Sequence, residues 1–143
     1  MPKNKKPPKR KRWVVPVDPV NLVIDGMKLL TEEERASIMN PCRMALAALI
    51  TGGGAQQHWA IVRGTLNVAT VVDLVYFSGQ YARELNQAVH AHASCGKRYL
   101  DKGRYGYAGP ELEVIKFALD LHTEHLKKLT FRELTVAVNQ VAN

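Results

Sequence analysis

VATVVDLVYF, residues 68–77, decides the fold. Its β-branched and aromatic residues suit a strand. Its upstream context suits a helix: Trp59, Val62, Leu66, Ala69 and Val72 recur on one helical face, with Ile61, Val68, Val71 and Val75 on others. No second segment offers itself as a pairing strand. The expectation is therefore a helix over 55–77, apolar nearly all round and so central in its bundle. Ser78-Gly79 marks a break or bend after it.

The flanking segments repeat this helical pattern. Thr31-Glu32-Glu33-Glu34 is a capping box that opens a helix toward Ile50 and places acidic groups at the positive end of the helix dipole. Asn40-Pro41 predicts a kink or break within it, because proline lacks the N–H and clashes one turn back. Thr51-Gly52-Gly53-Gly54 ends that segment and reads as a flexible connector. No strand precedes the glycines and no Lys-Ser/Thr follows them, as a phosphate loop would require.

Residues 80–101 carry a stripe of Tyr81, Leu85, Ala88, His92, Cys95 and Tyr99. After the glycine-rich KGRYGYAG loop, Gly109-Pro110-Glu111 starts a helix with the stripe Leu112, Ile115, Leu119, His122, Leu126 and Leu129. Thr130-Phe131-Arg132-Glu133 is a second capping box, opening a last helix with Leu134, Val138 and Val141 on one face. Nearer the start, Asp18-Pro19 caps a short helix bearing Val20, Val23, Ile24 and Met27. The sum is an all-α, compact bundle of five to six helices, with a single helical domain over 19–143.

Before that domain lie two different segments. Residues 13–18, WVVPVD, form an extended apolar strip, with Trp13, Val15 or Val17 as anchors on the body. Residues 1–12 form a disordered basic arm, since proline and like charge favour a solvated chain. Of the 20 Lys and Arg in the 143 residues, seven lie in that arm: Lys3, Lys5, Lys6, Lys9, Arg10, Lys11 and Arg12. None of the 13 acidic residues does, so the remainder carries 13 charges of each sign and is formally neutral. The protein is a neutral globule with a cationic thread.

Hydrophobic residues at 46% and charged residues at 23% fit a soluble globular domain. No secretory leader is expected, because prolines and an aspartate break the apolar stretch after the arm, and no apolar run reaches membrane-spanning length. Cys42 and Cys95 read as reduced, partly buried thiols of a cytoplasmic protein.

The arm is built to meet phosphate. Seven cations release counterions on binding DNA or RNA, and the salt slope would approach about 6 if all engaged duplex DNA. They carry no base readout. A solubilising tail and a nuclear localisation signal are the competing readings of the same run. A second candidate contact lies between Lys97 and Tyr107, where Arg98, Lys102, Arg104 and Tyr105 interleave cations with rings, as single-strand binding uses them. An interhelical loop whose tyrosines pack on the body is the favoured reading there.

No metal site is expected. His90 and His92 point to different faces, His92 with Cys95 supplies only two ligands, and His122 lies on the apolar stripe, where a hydrogen-bonded core histidine is the ordinary explanation. No nucleophile stands with its base at a readable spacing, so neither catalysis nor a cofactor is expected.

The order of features, from the basic start through DGMK to GPELEVIKFALDLHTEHLKKLTFRELTVAVNQV, resembles a group of small proteins of proteobacterial phages and prophages, most clearly over 109–141. Some of that group are labelled Fis-type transcriptional regulators. The resemblance implies a regulatory role but carries over no site residues. A Fis-like reader would place a basic recognition helix near the C-terminus. FRELTVAVNQVAN has one arginine, which leaves the arm as the expected contact. The sequence thus points to a small accessory or regulatory protein that binds nucleic acid non-specifically. The rival expectation is a protein-interaction module that modulates a host protein, or a homodimer. No membrane partner is expected.

Overall fold

The structure is a computed structural model and describes residues 27–142. The basic arm 1–12, the strip 13–18 with Trp13, and the short helix expected from Asp18 lie outside the described residues. Five helices follow: α1 (Glu32–Ile50), α2 (Gln56–Tyr76), α3 (Ala82–Lys102), α4 (Gly109–Leu126) and α5 (Phe131–Ala142). Among the described residues the protein is all-helical. A single antiparallel bridge pairs Leu29 with Thr130, and the Leu30 N–H donates to the Leu129 carbonyl at 3.0 Å. That clip ties the start of the described chain to the α4–α5 junction.

VATVVDLVYF is helical as far as Tyr76. Helix α2 touches all four of the others, but it is not buried all round as expected: Ile61, Leu74 and Val75 are exposed on its outer side. Its innermost line is Val62, Leu66, Ala69, Val72 and Asp73. Its two threonines turn their hydroxyls back onto the helix: Thr65 and Thr70 donate to the Ile61 and Leu66 carbonyls at 3.0 and 2.8 Å.

The chain turns sharply after α2 through two left-handed residues, Ser78 (φ 59°) and Gly79 (φ 67°). The Asp73 carbonyl accepts from the Phe77 and Gly79 N–H groups at 3.0 and 2.9 Å. The buried Asp73 carboxylate accepts the Tyr81 N–H at 3.1 Å, so one residue closes α2 and opens α3.

Both expected capping boxes form. Glu34 and Thr31 exchange bonds of 3.1 and 2.8 Å, and Glu133 and Thr130 exchange bonds of 3.1 and 2.9 Å. The break expected at Asn40-Pro41 does not occur, and α1 is continuous with Pro41 inside it. Pro41 and Ser37, whose carbonyl loses its donor, are both exposed, so water can serve that carbonyl. Met39 before the proline and Cys42, Ala45, Leu46 and Leu49 after it are buried, which anchors both halves.

Gly54 is no mere spacer in the glycine run. A Cβ there would stand 2.6 Å from Leu49 Cδ2 and 3.0 Å from Leu49 Cα, so the chain crosses the end of α1 at a distance only glycine permits. Leu134, Val138 and Val141 share a face of α5 and line one groove, but the fully packed residues of that helix are Leu134 and Ala137, and Val138 is 43% exposed. The core runs from Leu30 through Leu66, Leu85, Ile115 and Leu119 to Leu134 as one cluster.

Candidate nucleic-acid interface

Of the eleven residues expected to contact nucleic acid, the seven of the arm fall outside the described residues. The other four come together. Arg98 and Lys102 are one turn apart near the end of α3, which stops at Gly103 in the left-handed conformation (φ 82°), with its N–H on the Tyr99 carbonyl at 2.8 Å. The chain then folds back through Arg104, Tyr105 and Gly106. Arg98, Lys102, Arg104 and Tyr105, with Gly106, Tyr107 and Ala108, line one open cavity of about 300 Å³. No carboxylate contributes to that lining among the described residues.

The four play different parts. The Arg98 guanidinium grips Glu111 with both arms, at 2.6 and 3.0 Å, and also donates to the Gly106 carbonyl at 3.1 Å. These bonds fasten the loop to the start of α4, where Glu111 also accepts the Ala108 N–H at 2.8 Å. The hydrogen bonds from Arg98 hold the Glu111 carboxyl below the usual carboxylate range, and the Arg98 charge is locally matched. Lys102 and Arg104 are exposed and have no ion-pair partner among the described residues, so they carry the uncompensated charge of the cavity. Lys97 does not line this cavity; it lies 3.9 Å from Asp101 and lines the neighbouring aromatic cleft.

The tyrosines pack as the favoured reading expected, but unequally. Tyr105 is only 8% exposed and stacks on Tyr99, with centroids 4.4 Å apart and planes 10° apart, while Tyr99 remains 42% exposed. Tyr107 turns inward rather than keeping its hydroxyl in water. Its O–H bonds to His92 Nδ1 at 2.9 Å, and burial raises its pKa. Beneath the loop Cys95 is buried, and burial pushes its thiol pKa up. Cys42 is likewise a buried free thiol.

His92 is fully occupied in holding this floor. Nε2 bonds to the Trp59 carbonyl at 2.8 Å, which makes it the protonated nitrogen and leaves Nδ1 to accept from Tyr107. No spacing in the sequence signals the Arg98–Glu111 and His92–Tyr107 pairs, which span 13 and 15 residues across a turn. His122 departs from the expectation of a hydrogen-bonded core histidine. It is buried, but Nδ1 has no partner among the described residues, and the same holds for Nδ1 of His125, whose ring stacks on Phe77 at 3.8 Å.

Compared with protein-family models, with curated proteins and with solved structures, the chain has no significant match. No helix among the described residues is long and apolar enough to cross a membrane.

Proposed function

We propose that this chain is a small accessory or regulatory protein of phage or prophage origin that binds nucleic acid in the cytoplasm and has no catalytic role. The arm cations Lys3 to Arg12 supply non-specific phosphate contact, and the cavity around Lys102 and Arg104 supplies a second contact fixed on the helical domain. A second site on the same molecule raises effective affinity. The observation that carries this reading is the convergence of Arg98, Lys102, Arg104 and Tyr105 on one cavity without a carboxylate in its lining. The test is binding of labelled DNA and RNA by the full chain and by a Lys102→Glu/Arg104→Glu variant. The variant should bind at least 10-fold more weakly with an unchanged fold. Equal affinities would remove the cavity from the interface.

One observation favours a protein-interaction module instead. An apolar groove of about 450 Å³ runs between α1, α2 and α5, with Ile38, Ile61, Val68, Leu134 and Val138 in its walls and the buried His122 also in its lining. The apolar face of a partner helix would suit such walls. Under that reading Val138→Asp abolishes partner capture, while the Lys102→Glu/Arg104→Glu variant retains it.

A further inference from the structure

We propose that the aromatic cleft beside the basic cavity is a nucleobase site, which takes one unpaired base of a single strand whose phosphate lies against Lys102 and Arg104. This rests on the nucleic-acid reading above and adds what that reading leaves open, namely which form of nucleic acid the domain selects.

The cleft measures about 420 Å³ and is walled by Gln56, Trp59, Lys97, Tyr99, Leu100 and Tyr105, with Lys97 beside Asp101. Tyr105 also lines the basic cavity, so the two spaces share a wall and one nucleotide can span both. The shared stack has a direction. Tyr105 is the buried ring and Tyr99 the half-exposed one, so Tyr105 braces Tyr99 from behind and leaves the outer face of Tyr99 available. Next to it Leu100 is 82% exposed, a large apolar side chain held in water on a well-formed helix. An apolar shelf beside a braced ring suits the flat face of a base. The Gln56 side chain adds a donor and an acceptor at the rim, suited to a base edge. Lys102 and Arg104 line the cavity that shares Tyr105 with this cleft, where the strand's phosphate would run.

A duplex cannot use such a site, because its bases present edges in the grooves and keep their faces stacked. The selected form is therefore single-stranded.

The experiment compares three labelled oligonucleotides of equal length on the full chain: a base-bearing single strand, a single strand with abasic sites throughout, and a duplex. Arm contacts to phosphate are common to the two single strands, so their ratio reads the cleft. The base-bearing strand should bind about 10-fold tighter than the abasic one, within the range of stacking on one aromatic. Leu100→Glu, at a surface position that does not threaten the fold, should bring that ratio close to one, and Tyr99→Phe should preserve it. Equal binding of base-bearing and abasic strands overturns the base site and leaves the phosphate contact standing. Binding of none of the three overturns both.

Discussion

Trp59 and His92 exchange two hydrogen bonds across the contact between α2 and α3. The indole Nε1–H donates to the His92 carbonyl at 3.0 Å, and the imidazole Nε2–H donates to the Trp59 carbonyl at 2.8 Å. The rings stack with centroids 4.8 Å apart and planes 14° apart. Tyr107 completes the arrangement at Nδ1, so the floor of the candidate interface is pinned to the bundle by one imidazole.

His92→Phe keeps the ring but removes both imidazole bonds. It takes from the half-buried Tyr107 hydroxyl its imidazole acceptor, and it should cost about 2–3 kcal/mol. Tyr107→Phe deletes one bond and leaves Nδ1 without its donor, at about 1–2 kcal/mol. Urea unfolding followed by tryptophan fluorescence checks the order of the two losses.

Acid should weaken the fold, because the buried histidines resist protonation in the folded state. Burial lowers the pKa of His92, His122 and His125, that of His122 from 6.5 to about 4. Between those values the unfolded chain binds more protons than the folded one, so stability is complete above about pH 6.5 and declines as pH falls toward 4. For His122 the gap amounts to about 3 kcal/mol at the acid end. Thermal unfolding at pH 7 and pH 5.5 should show the start of the decline. His122→Leu should shrink it while leaving stability at pH 7 equal or higher, because an unpartnered buried nitrogen is removed. A Tm that does not change between the two pH values would contradict this.

Gly96 is a packing requirement rather than a flexible point. A Cβ there would approach Trp59 Cζ2 to 2.8 Å and Cε2 to 2.9 Å. Gly96→Ala must displace the indole, at an expected cost of about 1–3 kcal/mol despite the better helix propensity of alanine. The displaced indole should also shift the Trp59 emission. A stabilised Gly96→Ala protein would show that Trp59 is not tightly held.

The sequence exposes local grammar well and long-range partnership poorly. The helical reading of VATVVDLVYF holds because periodicity over two turns upstream outweighs β-propensity, and both capping boxes hold because their bonds join residues three apart. Pro41 misleads because its cost is local, while the burial of Met39 and Cys42 that outweighs it depends on other helices. Ala137 escapes a hydropathy reading because its side chain is small, yet it is fully buried where α5 meets the core. At the interface, the interleaving of cations with tyrosines was visible. What was hidden is that Arg98 is engaged by Glu111, that Tyr107 belongs to His92, and that Tyr99 rather than Tyr105 offers the open ring face. Each depends on how the loop folds back over α3, which no spacing encodes.

The most direct measurement is the salt dependence of nucleic-acid affinity for three full-length proteins: the native chain, one with its seven arm cations changed to glutamine, and the Lys102→Glu/Arg104→Glu variant. For a single strand each engaged cation contributes about 0.7 to the slope of log K against log salt. The account predicts a native slope near 6, a loss of about 5 on neutralising the arm, and a loss of about 1–2 on reversing the cavity charges. A native chain that binds no strand at low salt, or a cavity variant with unaltered affinity and slope, would contradict it.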